Sequence, residues 1–437
     1  MDIGVIGAGY VGLVTAACFA KLGHKVICVD IDTAKINALK KGKIPIYEPG
    51  LDQLVRSGLR AKNIYFTANI KSAIAKSTVI FIAVGTPPKD NGEADLTYIE
   101  NVARKIATEM PSYRLIVEKS TVPVQTGKRI EETIKAYNKK KIKFDVASNP
   151  EFLREGQAIS DFLSPDRIVI GVNSKKARDI LSSIYASFKA PIIVTDIESA
   201  ELIKHASNSF LAMKISYINS IANICERCGA DIVKVSKGIG LDRRIGKDFL
   251  NSGVGFGGFC FPKDLEAFIR ISEKLGYDFD LLRSVKRVND YQKILFIKKI
   301  EESLWVLNGK TIAVLGIAFK PNTDDIRYAP AIDIIKMLQN EGVKIKAFDP
   351  QAMKNAKTVL KDVKFCKDAY SAVRDSDCLC IITDWDEFKS LDLKRVKRLM
   401  KQPIIVDGRN IYEPKDVEKF GLKYKGIGRY YDRRHQD

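Results

Sequence analysis

The residue best placed for covalent chemistry is Cys260, at the end of a glycine-rich loop in Gly257-Gly258-Phe259-Cys260-Phe261-Pro262-Lys263-Asp264. Glycines let a backbone crowd a ligand, and Pro262 is suited to start the next helix. Lys263 brings positive charge, which favours the nucleophilic thiolate. Spacing alone leaves a structural thiol as an equal alternative. The other seven of the eight cysteines fall in apolar runs or helices and read as structural. Among them, Cys225 and Cys228 form a C-x-x-C inside the helix-like stretch 215–229. That pair lacks the β-α-β setting of a redox motif and any second pair to complete a zinc site.

Two further clusters could handle protons. Asn149-Pro150-Glu151-Phe152-Leu153-Arg154-Glu155-Gly156 sets two carboxylates four residues apart. If a helix begins after Pro150, both project from one face, and an ordinary capped helix with an acidic first turn would look the same. Lys204 and Asn208 stand at i, i+4 spacing, so a cation and an amide donor could point at one developing oxyanion. On most helices such a pair is simply solvated. The chain has 3 histidines, His24, His205 and His435, so a multi-histidine metal site is excluded and only His205 is a candidate base. The proton transfers therefore fall to Lys, Asp or Glu.

A dinucleotide site is legible at the start of the chain. Gly7-Ala8-Gly9-Tyr10-Val11-Gly12 fits G-x-G-x-x-G directly after an apolar strand and at the opening of a helix. Its glycines allow a tight turn and close approach to a pyrophosphate at the helix N-terminus. The next strand ends in Asp30, 18 residues beyond Gly12. A carboxylate there accepts hydrogen bonds from the adenosine ribose hydroxyls and repels a ribose phosphate, so NAD is expected over NADP. Thr86, in Gly85-Thr86-Pro87-Pro88 after the strand 79–84, is a further candidate cofactor contact.

The elements that must position these groups alternate between strand and helix. Apolar runs at 3–6, 25–29, 79–84, 115–118 and 168–170, separated by helical patterns, predict a parallel α/β sheet. From about residue 200 to 300 helical periodicity dominates, and a surplus apolar face suggests a dimer interface. The rhythm restarts at 311–315, 344–348, 378–382 and 404–406, where only Gly316 marks a glycine turn. The expected fold is α/β: two Rossmann-like, doubly wound parallel-sheet domains joined by a long central helical segment. The expected domains are an N-terminal NAD-binding domain (1–199), a central helical domain carrying the catalytic loop (200–300) and a C-terminal Rossmann-like domain (301–437).

Composition excludes other classes. A hydrophobic content of 46% and a charged content of 29% describe an ordinary globular chain. No apolar stretch reaches membrane-spanning length and no basic leader precedes the first strand, so a cytoplasmic protein without a membrane partner is expected. The net charge of +19 is spread along the chain and not gathered into one aromatic-interleaved patch. It suits anionic cofactor and substrate better than nucleic acid.

Taken together, these blocks resemble the UDP-glucose/GDP-mannose dehydrogenase family, on its UDP-glucose 6-dehydrogenase branch. The resemblance runs through Gly7–Leu13, Glu118-Lys119-Ser120-Thr121-Val122-Pro123, the Asn149 block and Pro165-Asp166-Arg167. It continues through Lys204–Asn208, Arg244-Ile245-Gly246, the Cys260 loop, Phe319–Arg327 and Asp407-Gly408-Arg409-Asn410. It implies oxidation of UDP-glucose to UDP-glucuronate by NAD without a metal, in a homodimer built on the central helix.

Position by position, the resemblance makes Cys260 the nucleophile. Lys204 and Asp264 handle the alcohol proton and the water, and Asn208 is an oxyanion donor. Glu151 is the base for thioester hydrolysis, and Thr121 holds a water near the nicotinamide. It assigns Gly7, Gly9, Tyr10, Val11, Gly12, Asp30, Lys35, Thr86, Thr121, Glu155, Lys263 and Arg327 to the cofactor. Glu151, Phe152, Leu153, Lys204, Asn208, Phe249, Gly257, Phe261, Phe319, Lys320 and Arg409 fall to the nucleotide sugar, joined by Arg244 from a partner subunit. Two positions depart from the pattern: Phe259 stands where a serine is usual and Gln125 where a glycine is common. The nearest rival substrates are GDP-mannose and a UDP-N-acetylhexosamine. A non-catalytic nucleotide-binding protein would not need this full set.

Overall fold

A computed structural model describes residues 1–429 of the chain; His435 lies outside them. The chain forms two compact units, Met1–Ser207 with Glu266–Tyr277, and Asn208–Leu265 with Asp278–Asp437. The first carries an eight-stranded sheet: β1 (Asp2–Ile6), β2 (Lys25–Val29), β3 (Ile64–Thr67), β4 (Val79–Ile82), β5 (Arg114–Glu118), β6 (Phe144–Ser148), β7 (Ile168–Val172) and β8 (Ile192–Thr195). Its order is β3-β2-β1-β4-β5-β6-β7-β8. The inner strands are continuous apolar runs because both faces of the sheet are covered there; in β4, Val79 to Ile82 are all buried. Ile3, Val5, Phe19 and Phe81 fill the layer on one face, and Ile6, Ile80, Ile82 and Ile106 the layer on the other.

The second unit carries a six-stranded sheet: β9 (Thr311–Leu315), β10 (Lys344–Phe348), β11 (Val363–Phe365), β12 (Cys378–Ile381), β13 (Ile404–Asp407) and β14 (Lys423–Gly426). Its order, β11-β10-β9-β12-β13-β14, is parallel throughout. In each sheet the chain order reverses beside the first strand, at β1/β4 and at β9/β12. Such a switch point opens a crevice at the strand C-termini. The long helix Ile197–Cys228 joins the two α/β regions, followed by helices Ile232–Gly240, Cys260–Lys274 and Asp280–Leu304.

Three expectations are corrected. The first sheet is not wholly parallel, because β7 pairs antiparallel with β6 while β8 runs parallel to β7. An apolar run signals burial, not direction. No helix begins after Pro150: the chain stays irregular until Ala158–Leu163, so Glu151 and Glu155 do not share a helix face. The helix after the glycine loop starts at Cys260, two residues before Pro262. Pro262 still falls in the first turn, where its missing N–H costs nothing.

Candidate active site

The cofactor loop is built by close packing. A Cβ on Gly12 would lie 1.8 Å from the Gly7 carbonyl oxygen, and one on Gly7, which has φ +106°, would lie 2.4 Å from the Ala83 carbonyl oxygen. Only glycine lets the helix Tyr10–Lys21 seat this tightly against the end of β1. At Gly9, by contrast, a Cβ would meet nothing within 4 Å, leaving the open cradle a pyrophosphate needs. Tyr10 and Val11 begin the helix at the mouth of that cradle.

Asp30 follows β2 beside this loop. Its carboxylate accepts hydrogen bonds from the Ala8 and Asp32 N–H groups, each at 3.0 Å, and from Lys35 Nζ at 2.9 Å. Burial opposes the charge, but the Asp32 and Ala8 amides and Lys35 outweigh it and hold the carboxyl below its usual range. An anion with lone pairs to spare is what ribose hydroxyls require. Thr86 donates its hydroxyl to the Thr121 carbonyl at 3.0 Å, which brings two separately expected contacts together. These features fit NAD.

The Asn149 block is held without a helix. Glu151 Oε2 accepts the Leu153 N–H at 2.6 Å, and its Oε1 lies 3.1 Å from Lys204 Nζ with both side chains buried. Phe152 sits beneath the Arg167 guanidinium, 3.6 Å from the ring centre, and its ring is 5.4 Å from Lys204 Nζ. Glu155 adjoins Gly156, whose N–H donates to Glu48 Oε2 at 2.6 Å and to Tyr10 Oη at 2.9 Å. Glu48 also accepts from Ala158 at 2.8 Å.

Four residues beyond Lys204 on the same helix, Asn208 donates from Nδ2 to Asp264 Oδ2 at 2.6 Å. Lys263 Nζ contacts Asp264 Oδ1, also at 2.6 Å. Asn208, Lys263 and Asp264 are all buried, so the spacing that could have been solvated is not. Asp264 lies one turn after Cys260 on the helix the thiol opens, so the two share a face. Cys260 itself is partly exposed, whereas Cys18, Cys28, Cys225, Cys366, Cys378 and Cys380 are buried. Burial pushes the Cys18 and Cys28 thiols up to about 12, which leaves them inert. Cys260 instead stands at the first position of its helix and is not buried.

The rest of the second unit shapes the loop. A Cβ on Gly257 would meet the Tyr328 carbonyl oxygen at 2.3 Å, and one on Gly258 the Phe319 ring at 2.7 Å. Phe261 packs against Phe249 and Phe256, with ring centres 6.1 and 5.9 Å away. Arg409 donates to the carbonyls of Ile382, Phe319 and Gly255 at 2.7, 3.3 and 3.4 Å, tying the glycine loop to the sheet. Lys320 lies 5.6 Å from the neighbouring Phe319 ring. Arg327 is fixed by Asp325 at 2.6 Å and lies 4.2 Å above Phe259, so the unusual aromatic at 259 serves as a platform for a cation.

Arg244 is exposed and held by Asp242 at 2.6 Å; it meets no other candidate site residue among the described residues. His205 is buried, with Nε2 2.7 Å from the Val122 carbonyl. No group of three His, Cys, Asp or Glu among the described residues is arranged to hold a metal. Sequence reasoning missed Glu48, Glu201 and Lys119. Lys119 is a buried lysine whose Nζ donates to Asn149 Oδ1 at 3.0 Å. Burial lowers its pKa to about 8 against the pull of Glu151 and Glu118.

Comparison with known proteins relates successive parts of the chain to one family. Residues 1–189 match the NAD binding domain of the UDP-glucose/GDP-mannose dehydrogenase family, 198–291 its central domain and 313–414 its UDP binding domain. The chain is 50% identical over 428 residues to UDP-glucose 6-dehydrogenase TuaD of Bacillus subtilis (strain 168), covering 98% of this chain and 93% of that protein. It is 47% identical to UDP-glucose 6-dehydrogenase of Rhizobium meliloti (strain 1021), covering 98% of this chain and all of the other. A solved UDP-glucose dehydrogenase from the hyperthermophilic archaeon Pyrobaculum islandicum superposes with a TM-score of 0.92 at 38% identity, over 98% of this chain and 97% of that one. Matched by three domains of one family and by relatives up to 50% identical over nearly its whole length, the chain belongs to the UDP-glucose/GDP-mannose dehydrogenase family.

Proposed function

We propose that the protein oxidises the primary alcohol of UDP-glucose to the carboxylate of UDP-glucuronate through a covalent intermediate on Cys260. The observation that carries this reading is the buried Asn208–Asp264 hydrogen bond, 2.6 Å long, one turn from the partly exposed thiol. An amide, a carboxylate and a nucleophile are thereby gathered at one place, with a lysine–carboxylate pair one turn earlier on the Asn208 helix.

Gly7, Gly9 and Gly12 would seat the pyrophosphate of NAD, and Asp30 with Lys35 the adenosine ribose, with Tyr10, Val11, Thr86, Glu155, Lys263 and Arg327 as further contacts. When bound, NAD takes two electrons with the hydrogen that leaves the substrate carbon at each oxidation. Lys204 and Asp264 handle the hydroxyl proton between them, the Asp264 carboxylate accepting it while the Lys204 ammonium holds the oxygen, and the first oxidation leaves an aldehyde. An aldehyde has no hydroxyl whose loss of a proton can drive a second oxidation. Cys260 Sγ supplies one by forming a C–S bond to the carbonyl carbon and turning its oxygen into an alkoxide.

Asn208 has a second N–H beyond the one given to Asp264, and with Lys204 it holds that oxygen. One such donor is worth roughly 3–4 kcal/mol. The second oxidation gives a thioester. Glu151, assisted by Thr121, takes a proton from water, whose attack breaks the C–S bond and frees the acid and the Cys260 thiolate. Four electrons leave the sugar in all.

Phe152, Leu153, Phe249, Gly257, Phe261, Phe319, Lys320 and Arg409 would hold the nucleotide sugar. Residues 1–199, 200–300 and 301–437 act as cofactor, central and sugar domains. Phe210, Tyr217 and Ile224 are exposed at 58%, 56% and 56% and recur every seven residues along the central helix. This stripe supports a homodimer, through which Arg244 would reach the partner's substrate. No described helix is long and apolar enough to cross a membrane, and cytoplasmic nucleotide sugars are the fitting substrates.

The test offers UDP-glucose, GDP-mannose and UDP-N-acetylglucosamine in parallel to the purified protein and follows NADH. About two NADH per UDP-glucose, with neither rival oxidised faster, is the expected result. Faster oxidation of a rival would reassign the substrate, and no NADH from any of the three would remove the enzyme reading.

A further inference from the structure

Three hydrogen bonds run from one short stretch of the central helix to the loop after β5, the loop that carries Thr121. Glu201 Oε2 accepts the Gln125 N–H at 2.6 Å and its Oε1 accepts the Gly127 N–H at 2.7 Å. One turn further, His205 donates from Nε2 to the Val122 carbonyl at 2.7 Å, which fixes the proton on that nitrogen. Glu201 and His205 flank Lys204, and the backbone atoms they hold follow directly on Thr121. Both side chains are buried, at 2% and 1% exposure.

We propose that Glu201, supported by His205, is a positioning residue for turnover, locking the Thr121 loop in register with Lys204. This rests on the functional reading given above, in which Thr121 and Lys204 act on the same reacting group.

The local backbone explains why a lock is needed. Gln125 has φ +76°, in the left-handed region that disfavours a residue with a Cβ. It is also the N-cap of the helix Thr126–Tyr137 and offers no side-chain cap. The Glu201 carboxylate supplies the missing cap from outside, binding the amides of both Gln125 and Gly127. Close approach is built in: a Cβ on Gly127 would lie 2.5 Å from Ile197 Cγ2. Without the carboxylate, the buried Gly127 N–H and the half-buried Gln125 N–H lose their acceptor and a strained residue loses its restraint.

The lock is also sensitive to protonation. Burial pushes the Glu201 carboxyl up to about 7, against the pull of the Gly127 and Gln125 amides, with Glu198 on its own helix adding repulsion. Glu118, at the end of β5, faces Glu201 as a second buried acid and is itself raised by burial and by Glu201. Lys119 follows Glu118, and Lys204 and His205 lie one turn along the helix. A protonated carboxyl keeps one good acceptor oxygen in place of two, so the grip loosens as pH falls through about 7.

The experiment uses the full chain as wild type, Glu201→Gln, Glu201→Asp and the double variant Glu201→Gln with Gln125→Gly. Glutamine sets an N–H against a backbone N–H and forfeits one bond of the pair. Expected for E201Q is a fall in kcat of about tenfold to a hundredfold, with KM for UDP-glucose and NAD within about threefold of wild type. The acid limb of the wild-type kcat profile near pH 7 should be absent from E201Q. The Gln125 and Gly127 amides should exchange about tenfold faster, with β5 amides unchanged. Q125G, which removes the strain, should return part of the lost kcat.

E201D, which keeps the charge but falls one methylene short, gives the same split more mildly and serves if E201Q does not fold. Wild-type kcat with an unaltered acid limb in E201Q, or unchanged exchange at 125 and 127, would overturn the proposal. A wild-type protein inactive on every nucleotide sugar would sink the functional reading alone, because amide exchange still decides whether Glu201 holds the loop.

Discussion

Lys204 Nζ lies 3.1 Å from Glu151 Oε1, with side-chain exposures of only 6% and 5%. A buried ion pair is sensitive to loss of one partner, because the survivor is left charged without water or counterion. Lys204→Ala should therefore lower unfolding stability by about 3–5 kcal/mol as well as abolishing turnover, read by denaturant unfolding and NADH release. Glu151→Gln keeps a hydrogen-bonding oxygen but not the base. It should keep both oxidations and slow hydrolysis, so that a glucuronyl thioester on Cys260 accumulates and is visible as an intact-mass adduct. An E151Q enzyme that turns over at the wild-type rate without an adduct would remove Glu151 from the hydrolytic step.

Gly12→Ala tests the cofactor cradle. The added Cβ would lie 1.8 Å from the Gly7 carbonyl oxygen, a backbone atom that cannot swing aside. The helix Tyr10–Lys21 must move away from β1. We expect a loss of stability of about 1–3 kcal/mol and a rise in NAD dissociation constant of at least about tenfold. Calorimetric titration showing wild-type NAD affinity would contradict the placement.

Asp30→Ser tests cofactor choice. The carboxylate held by Ala8, Asp32 and Lys35 is the anion expected to meet the ribose hydroxyls. Its removal should raise KM for NAD and narrow the preference over NADP, since Lys35 is freed to meet a phosphate. Unchanged kcat/KM ratios for the two cofactors would show that discrimination lies elsewhere.

The fold was legible wherever the deciding interactions are local. The strand, glycine turn and helix of residues 2–21 follow one another in sequence, and β2, β9 and β10 fall where apolar runs put them. What was not legible depends on distant partners. The spacing after Pro150 would suit a helix, yet Glu151 captures the Leu153 N–H, Gly156 takes φ +79°, and Glu48, 108 residues earlier, binds the Gly156 amide. Glu201 likewise finds its partners 74 and 76 residues away. Lys204 and Asn208 were legible as a pair, but only their burial separates them from a solvated helix face.

The exposed stripe of Phe210, Tyr217 and Ile224 makes a prediction about assembly. Phe210→Glu with Ile224→Glu should convert a dimer to a monomer in light scattering at micromolar concentration, with the secondary structure retained. Loss of activity should accompany it if Arg244 acts across the interface. A wild-type protein that is monomeric, or a charged variant that stays dimeric, would place the contact elsewhere.

The most direct test of the whole account is the product made by Cys260→Ala. The thiol opens a helix beside Asp264 and is partly exposed while six other cysteines are buried. With NAD and UDP-glucose supplied, the variant should bind both ligands as wild type does and release no UDP-glucuronate by chromatography. UDP-glucuronate formed at an undiminished rate would contradict the covalent mechanism.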